Sequence, residues 1–258
     1  MSLCKDCIKG VRHEGTPEGK LEEIAGVRSY VSTPSGDYPK DKVVLFLADV
    51  FGIDLINNQL LVDGFAANNN VKTIAPDYLN GDAFPPDALK DGGINPAITG
   101  AARDHLTTWR DRHGANQTRP PLDKVISALK AEGVTSIGAT GYCFGARYVF
   151  DLAFDKVTSV SVVTHPSLLQ NPIDLEKYRD QAKAPLLINS CTVDTSFPHE
   201  AQAKANEILG TFEPGYRQVY FGGCTHGFAV RGDLNDPKVK AGKEGAFKSA
   251  VEWFGLYL

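Results

Sequence analysis

A Gly-x-Cys-x-Gly stretch contains the residue type best suited to covalent chemistry. It runs from Gly141 to Gly145 (GYCFG), after a β-rich apolar run, Thr135 to Thr140, and before a run typical of a helix, Ala146 to Phe154. A strand that turns sharply into a helix forms a nucleophile elbow, in which the central side chain is exposed above the sheet. Glycines are expected there because the tight turn leaves no room for a Cβ. The stretch predicts Cys143 as a nucleophile, with a buried packing cysteine as the alternative.

Two polar residues that could activate this thiol also follow predicted strands. Asp194 comes after the run Pro185 to Asn189, and His226 comes after Gln218 to Phe221. The chain order of nucleophile, acid and histidine is the order of the α/β-hydrolase triad. His226 would accept the proton of Cys143 or stabilise its thiolate, and Asp194 would hold the other imidazole nitrogen. The three residues together predict a catalytic triad.

Other residues of the same types are weaker candidates. Asp174 is an alternative acid, and an Asp after a strand, such as Asp194, can also be a simple helix cap. The remaining histidines, His165 among them, lack the glycine-rich surroundings of His226. We interpret Cys191 and Cys224 as packing thiols.

Predicted strands and helices alternate along the chain. Val43 to Leu47 is a continuous apolar run, typical of a parallel strand that is covered on both faces. Leu21 to Ser32 has the pattern of a hairpin, and Asn57 to Asn69 has helical spacing. This alternation predicts an α/β fold with a doubly wound, mainly parallel sheet and helices on both faces. In such sheets ligands bind beyond the carboxyl ends of the strands.

The segment between a further predicted strand, Val71 to Ala75, and the elbow has two parts. Asp77 to Asn95 is rich in Gly, Pro and Asp, and we predict an irregular loop over the end of the sheet that shapes a substrate pocket. Ile98 to Arg112 is predicted to be helical, and a second helix is predicted to start at Pro120 and run to Glu132.

The length, the composition and the net charge of the chain fit one enzyme domain with small-molecule ligands. The chain has 258 residues, of which 42% are hydrophobic, so we expect a single domain over residues 1–258 with residues 1–20 as an N-terminal extension. The formal net charge of −4, with no run of Lys or Arg, argues against nucleic acid and membrane partners. No secretory signal or transmembrane run is evident. The five cysteines, an odd number without a dense spacing pattern, fit reduced thiols better than a disulfide framework. We expect a cytoplasmic protein with reduced thiols.

A second cysteine motif, Cys4-x-x-Cys7, lies near the N-terminus. A zinc site would need two further ligands at suitable spacing, and a redox pair would follow a strand and open a helix. Neither context is present, so we predict a loosely ordered terminal segment there, and neither a metal nor a cofactor for the protein.

The triad motifs resemble those of the dienelactone hydrolase family of α/β-hydrolases. The likeness covers the elbow and extends through Asp49 to Gly52, Ala75 to Tyr78, Asp194 and His226 to Phe228. The resemblance implies hydrolysis of an enol-lactone through a thiol ester on Cys143. It also implies an oxyanion hole formed by the backbone N–H groups of Val50 and Phe144.

The resemblance implies roles for two charged residues as well. Asp49 occupies the position of an acidic residue that holds the resting thiol, where bacterial members have Glu; a structural cap is the alternative. Arg231 is similar to one of two arginines that bind the substrate carboxylate. The stretch Tyr78 to Asp82 lacks the second arginine, for which Arg103 or Arg110 is a candidate if these are not solvated charges on a helix face.

The function predicted from the sequence is a cofactor-independent cysteine hydrolase that opens a small lactone or cleaves a small ester. Two alternatives stay open. One is a thiol acyltransferase or another pathway enzyme on the same scaffold, in which a nucleophile other than water resolves the thiol ester. The other is a non-catalytic ligand-binding relative.

Overall fold

The computed structural model describes residues 15–90 and 93–258. The strands are β1 (Lys20–Ile24), β2 (Val27–Ser32), β3 (Lys42–Leu47), β4 (Lys72–Pro76), β5 (Leu89–Lys90), β6 (Gly93–Ile94), β7 (Ser136–Tyr142), β8 (Val160–Thr164), β9 (Leu186–Val193) and β10 (Tyr216–Thr225). The helices are α1 (Ile56–Asn69), α2 (Gly100–Thr107), α3 (Trp109–Arg112), α4 (Ala115–Ala131), α5 (Gly145–Phe154), α6 (Ile173–Gln181), α7 (His199–Leu209), α8 (Phe228–Arg231) and α9 (Pro237–Tyr257).

Eight strands form one sheet in the order β1-β2-β4-β3-β7-β8-β9-β10. The strands from β4 to β10 in this order pair in parallel, whereas β1 and β2 form an antiparallel hairpin and β2 pairs antiparallel to β4. The predicted hairpin and the predicted mainly parallel sheet are both confirmed.

The central strand β3 shows why the sheet has two covered faces. Val43, Leu45 and Leu47 pack into the hydrophobic core on one side of the sheet. Val44 and Phe46, which alternate with them, pack into the core on the other side. Because successive side chains of a strand point to opposite faces, a continuous apolar run requires helices on both sides.

The helix predicted over Ile98 to Arg112 is divided at Thr108. Thr108 has φ −95° and ψ 7°, outside the helical range, and separates α2 from α3. Its hydroxyl donates to the backbone carbonyl of Asp104 at 2.9 Å. Such a side-chain bond competes with the regular helical bonds of the backbone.

The helix predicted to start at Pro120 begins five positions earlier, at Ala115. The sequence rule places Pro in the first turn, but here two prolines lie farther inside, where each removes one backbone donor. Asn80 Nδ2 donates to the carbonyl of Gln117 at 3.2 Å, the acceptor that the missing N–H of Pro121 would have used. The first turn is held instead by Gly114, whose carbonyl accepts from the backbone and hydroxyl of Thr118. The prediction of the start was therefore wrong.

The segment predicted as an irregular loop, Asp77 to Asn95, contains the short strand pair β5 and β6. Its part around Phe84 packs onto the end of β3. The N–H of Phe84 donates to the carbonyl of Val50 at 2.8 Å, and the Phe84 and Phe51 rings meet edge to face.

In the part of the chain that the structure describes, no helix has the length and apolar character needed to span a bilayer.

Candidate active site

The elbow has the strained geometry that its sequence predicts. Cys143 lies between β7 and α5 with φ +50°, in the left-handed region that non-glycine residues seldom adopt. A Cβ on Gly145 would lie 2.0 Å from the carbonyl oxygen of Leu47, and one on Gly141 would lie 2.6 Å from that of Gly145. The glycines therefore let α5 pack directly against two strands. Because α5 begins two residues after Cys143, its N-terminal dipole favours a thiolate.

The sheet brings the predicted triad residues to one edge. Cys143 follows β7, Asp194 follows β9, and His226 follows β10. All three side chains are buried, with Cys143 only 2% exposed. His226 is followed by Gly227, whose φ of +87° turns the chain directly into α8. The N–H of His226 donates to the carbonyl of Val193 at 2.8 Å, which fixes the histidine beside the acid.

Asp194 connects the backbone of its own loop to the imidazole. Its Oδ2 lies 2.9 Å from His226 Nδ1. Its Oδ1 accepts from the N–H groups of Ser196 and Phe197 at 2.9 and 3.0 Å. One oxygen thus has the cap-like role that the sequence left open, while the other faces His226. The alternative acid, Asp174, lies on α6 and is engaged by Arg147.

Two site residues were not predicted to belong to the site: Ser167 was not considered, and His165 was set aside as a weaker candidate. The hydroxyl of Ser167 lies 3.4 Å from Cys143 Sγ and 3.5 Å from His226 Nε2. The ring of His165 lies 5.0 Å from that of His226, centroid to centroid. Both follow β8, the strand between β7 and β9 in the sheet. Their position after a strand end was the available signal, but a Ser or His in a loop is too common to be singled out.

His165 is an unusual buried base. It is 0% exposed, and neither ring nitrogen has a hydrogen-bond partner within residues 15–90 and 93–258. Burial lowers the pKa of His165 well below its ordinary value of 6.5, and the nearby His226 and Arg231 lower it further. The ring therefore stays neutral in the folded protein at pH values where an unfolded histidine is charged.

Replacement of His165 by Phe is expected to make stability less dependent on pH. Below the ordinary pKa, His165 binds a proton in the unfolded wild type but not in the folded state. The folding stability therefore decreases as the pH is lowered. Between about pH 7.5 and about pH 5.5 the wild type should lose about 1.4 kcal/mol more unfolding free energy than the variant. Urea unfolding at both pH values measures this difference.

Each protein serves as its own reference in that comparison, so strain of a Phe at the φ of +40° cancels. A His165→Asn variant, which tolerates this backbone conformation better, provides a second measurement. An equal loss in wild type and both variants would show that His165 is protonated in the folded state.

The backbone amides predicted as an oxyanion hole come from adjacent strand ends. β3 and β7 pair in parallel with Leu47 opposite Gly141. Val50 therefore lies just beyond the end of one strand and Phe144 just beyond the end of its neighbour. Both residues are buried. The role of their N–H groups stays a prediction.

Asp49 and Arg231, the two charged residues that the resemblance implies, bind each other. Arg231 Nε donates to Asp49 Oδ2 at 2.9 Å, and their side chains are 1% and 0% exposed. The other oxygen of Asp49 accepts from Asn58 Nδ2 at 3.1 Å and from the N–H of Phe51 at 3.2 Å. The guanidinium carbon lies 4.6 Å from the centre of the Phe51 ring. Arg103 and Arg110, the candidates for a second arginine, are exposed.

Aromatic side chains connect the elbow to the loop and helices that cover it. The ring of Phe144 is parallel to that of Tyr78 and edge-on to that of Trp109. Trp109 Nε1 donates to the carbonyl of Asp82, and its ring stacks on His113 at 3.8 Å. The hydroxyl of Tyr78 donates to the carbonyl of Ala48. This cluster fixes the covering segments on the side of the site where Phe144 lies.

The remaining cysteines differ from Cys143 in their surroundings. Cys191 and Cys224 are 0% exposed, as expected for packing thiols, and burial raises the pKa of Cys224 to about 11. Cys191 Sγ lies 4.0 Å from Asp194 Oδ2. Cys4 and Cys7 lie outside the described residues. Within those residues, no three His, Cys, Asp or Glu side chains are grouped to hold a metal ion.

The mainly parallel sheet, the elbow after β7 and the His226–Asp194 pair after the last two strands define an α/β-hydrolase fold. The chain belongs to the dienelactone hydrolase family, whose model matches residues 27–258. This membership confirms the family predicted from the motifs, and it makes the protein a hydrolase of esters or lactones.

Individual relatives are similar to this chain over nearly its whole length. Hydrolase pyvD of Aspergillus violaceofuscus is 33% identical over 257 residues, which are 98% of this chain and 96% of that protein. Dienlactone hydrolase 1 of Gibberella moniliformis is 30% identical over 263 residues, 99% of this chain and 94% of the relative. The crystal structure of dienelactone hydrolase from Anabaena variabilis, 15% identical, superposes with a TM-score of 0.62 over 94% of this chain and 99% of that one. At that identity the superposition supports the fold alone.

Proposed function

We propose that this hydrolase uses Cys143 as its nucleophile and opens a small lactone, of the enol-lactone type, or cleaves a small ester through a thiol ester. The observation that carries the proposal is the continuous contact from Cys143 Sγ through Ser167 to His226, and from His226 to Asp194. A thiol is reactive as its thiolate, which this arrangement and the N-terminus of α5 favour.

The proposed reaction has two stages. The Cys143 thiolate attacks the carbonyl carbon, and the N–H groups of Val50 and Phe144 stabilise the oxyanion of the tetrahedral intermediate. Collapse releases the alkoxide or enolate, which takes a proton from His226, and leaves a thiol ester on Cys143. His226 then activates a water molecule that hydrolyses the thiol ester.

Asp49 and Arg231 are paired with each other in the positions to which the resemblance gives their roles. The pair joins Nε of Arg231 to Oδ2 of Asp49, and a guanidinium has further N–H donors. We propose that Asp49 orients the guanidinium of Arg231 and that Arg231 binds the carboxylate of an anionic substrate. Neutral esters would not use this contact.

Trapping of the acyl-enzyme tests the cysteine mechanism. We expect p-nitrophenyl acetate to acetylate the wild type, with the adduct on the peptide that contains Cys143. The Cys191→Ala variant is a matched control, because Cys191 is also buried beside Asp194. It should keep the adduct, whereas Cys143→Ala should lose both adduct and turnover. Intact mass and peptide mapping measure this, and a panel of enol-lactones ranks substrates.

Two results would contradict the proposal. One is unchanged hydrolysis by Cys143→Ala, and the other is an adduct that maps to a different residue. Addition of a competing alcohol or thiol separates hydrolysis from acyl transfer, because an acyltransferase would form the new ester or thiol ester faster than the free acid.

A further inference from the structure

The hydroxyl of Ser167 lies within reach of both groups that must exchange a proton, the thiol of Cys143 and the imidazole of His226. Its Oγ is 3.4 Å from Cys143 Sγ, within hydrogen-bond range for sulfur, and 3.5 Å from His226 Nε2. The residue is only 9% exposed, so bulk water does not surround it. Contacts of this length between catalytic groups commonly shorten in the complex with substrate.

The backbone fixes Ser167 in this position independently of its hydroxyl. The N–H of Ser167 donates to the carbonyl of Cys143 at 3.0 Å, and the N–H of Cys143 donates to the carbonyl of Thr164 at 3.2 Å. His165 and Leu168, on either side, have positive φ values of 40° and 65°. A non-glycine residue in this region is strained, and such strain is concentrated at functional sites. The loop after β8 is thus bonded to the elbow from both directions.

We propose that Ser167 is a catalytic residue that relays the proton between Cys143 and His226. The inference rests on the proposed function, because it assigns a step in the activation of the Cys143 thiol. As the S–H bond of Cys143 breaks, its proton forms a new O–H bond at Ser167 Oγ. The original hydroxyl proton of Ser167 moves at the same time to His226 Nε2. The products are a thiolate, an unchanged neutral hydroxyl and an imidazolium that faces Asp194.

The groups around the two imidazoles favour protonation of His226 over protonation of His165. His226 Nδ1 faces the carboxylate of Asp194, which stabilises the imidazolium. A charge on His165 would be buried with no carboxylate assigned to it among the described hydrogen bonds and ion pairs. Once the thiolate has formed, Ser167 can donate its hydroxyl hydrogen to Sγ and stabilise the negative charge.

The pH dependence of Cys143 alkylation tests the relay. In Ser167→Ala, loss of a hydrogen bond to the thiolate should raise the midpoint of the iodoacetamide profile by about one pH unit. The acylation burst with p-nitrophenyl acetate should slow by about 10²-fold, as for loss of an acid–base group. Ser167→Thr keeps a hydroxyl and should stay within a few-fold of the wild type. Ser190→Ala, which removes another buried hydroxyl, that of Ser190 on β9, should change neither value.

A solvent isotope experiment distinguishes a relay from a structural role. Two protons in motion give a curved dependence of the acylation rate on the deuterium fraction of the solvent, and we expect this curvature in the wild type and in Ser167→Thr. A straight line is expected for Ser167→Ala. A wild-type pH profile in Ser167→Ala, or a straight line in the wild type, would overturn the relay.

Failure of the relay and failure of the proposed function give different results. A normal acyl adduct on Cys143 with an unaffected Ser167→Ala variant removes the relay and leaves the cysteine mechanism. An adduct on Ser167 itself, with activity retained in Cys143→Ala, removes both, because Ser167 would then be the nucleophile.

Discussion

Replacement of Asp194 by Asn is expected to lower kcat for ester hydrolysis by about 10⁴-fold without unfolding the protein. The N–H groups of Ser196 and Phe197 both donate to Oδ1, so the amide of Asn must place its carbonyl oxygen there. Its NH₂ group would then face His226 Nδ1. That nitrogen would have to be an acceptor, which puts the hydrogen on Nε2 and leaves no base for the Cys143 proton. Initial rates with p-nitrophenyl acetate measure the effect.

Asp174→Asn is the matched control for this prediction. Asp174 is also buried, but it is engaged by Arg147 on α5 and by the N–H of Gln170, away from the imidazole. The control should lower stability while kcat stays within a few-fold of the wild type. Equal losses of kcat in the two variants would remove Asp194 from the triad.

Replacement of Arg231 by Met is expected to lower the free energy of unfolding by about 3–5 kcal/mol. Asp49 would keep its hydrogen bonds from Phe51 and Asn58 but would lose its cation in a site with 0% exposure. A buried charge without its partner is far more costly than a buried pair. The double variant Asp49→Asn with Arg231→Met removes both charges, keeps a side-chain oxygen for the N–H of Phe51 and should recover most of the loss. Urea unfolding of both proteins measures the difference.

The exposed pair of Arg28 and Asp54 provides the control. Their side chains are 44% and 62% exposed, so solvent screens the attraction. Arg28→Met should change the unfolding free energy by no more than about 1 kcal/mol. If Arg231→Met were as mild as Arg28→Met, water or another group must solvate Asp49, and the pair would not be a structural element of the site.

The sequence was sufficient to predict the fold and the neighbourhood of Cys143, Asp194 and His226, for a physical reason. Apolar runs covered on both faces identify parallel strands, and the carboxyl ends of parallel strands lie at one edge of the sheet. Polar residues that come just after such runs are therefore expected to lie near one another at that edge. The glycines on either side of the elbow add a second constraint, because only a close approach of backbone segments requires them.

Contacts that depend on side-chain packing between distant segments could not be predicted in this way. The resemblance implied separate roles for Asp49 and Arg231, and their mutual pairing depends on how α8 is placed against the end of β3. The approach of Ser167 to Cys143 likewise depends on the left-handed turns at His165 and Leu168. No local pattern in the chain specifies either geometry.

The five adjacent strands that position the site, β3, β7, β8, β9 and β10, also determine when it can form during folding. The contact between Ser167 and His226 joins residues 59 positions apart, and the Asp49–Arg231 pair joins residues 182 positions apart. Contacts between such distant residues form slowly, because the entropy of loop closure must be lost first. Local helices and hairpins can therefore return early in refolding, while hydrolytic activity returns only when the complete topology has assembled. Recovered activity is for this protein a stricter measure of the native state than recovered secondary structure.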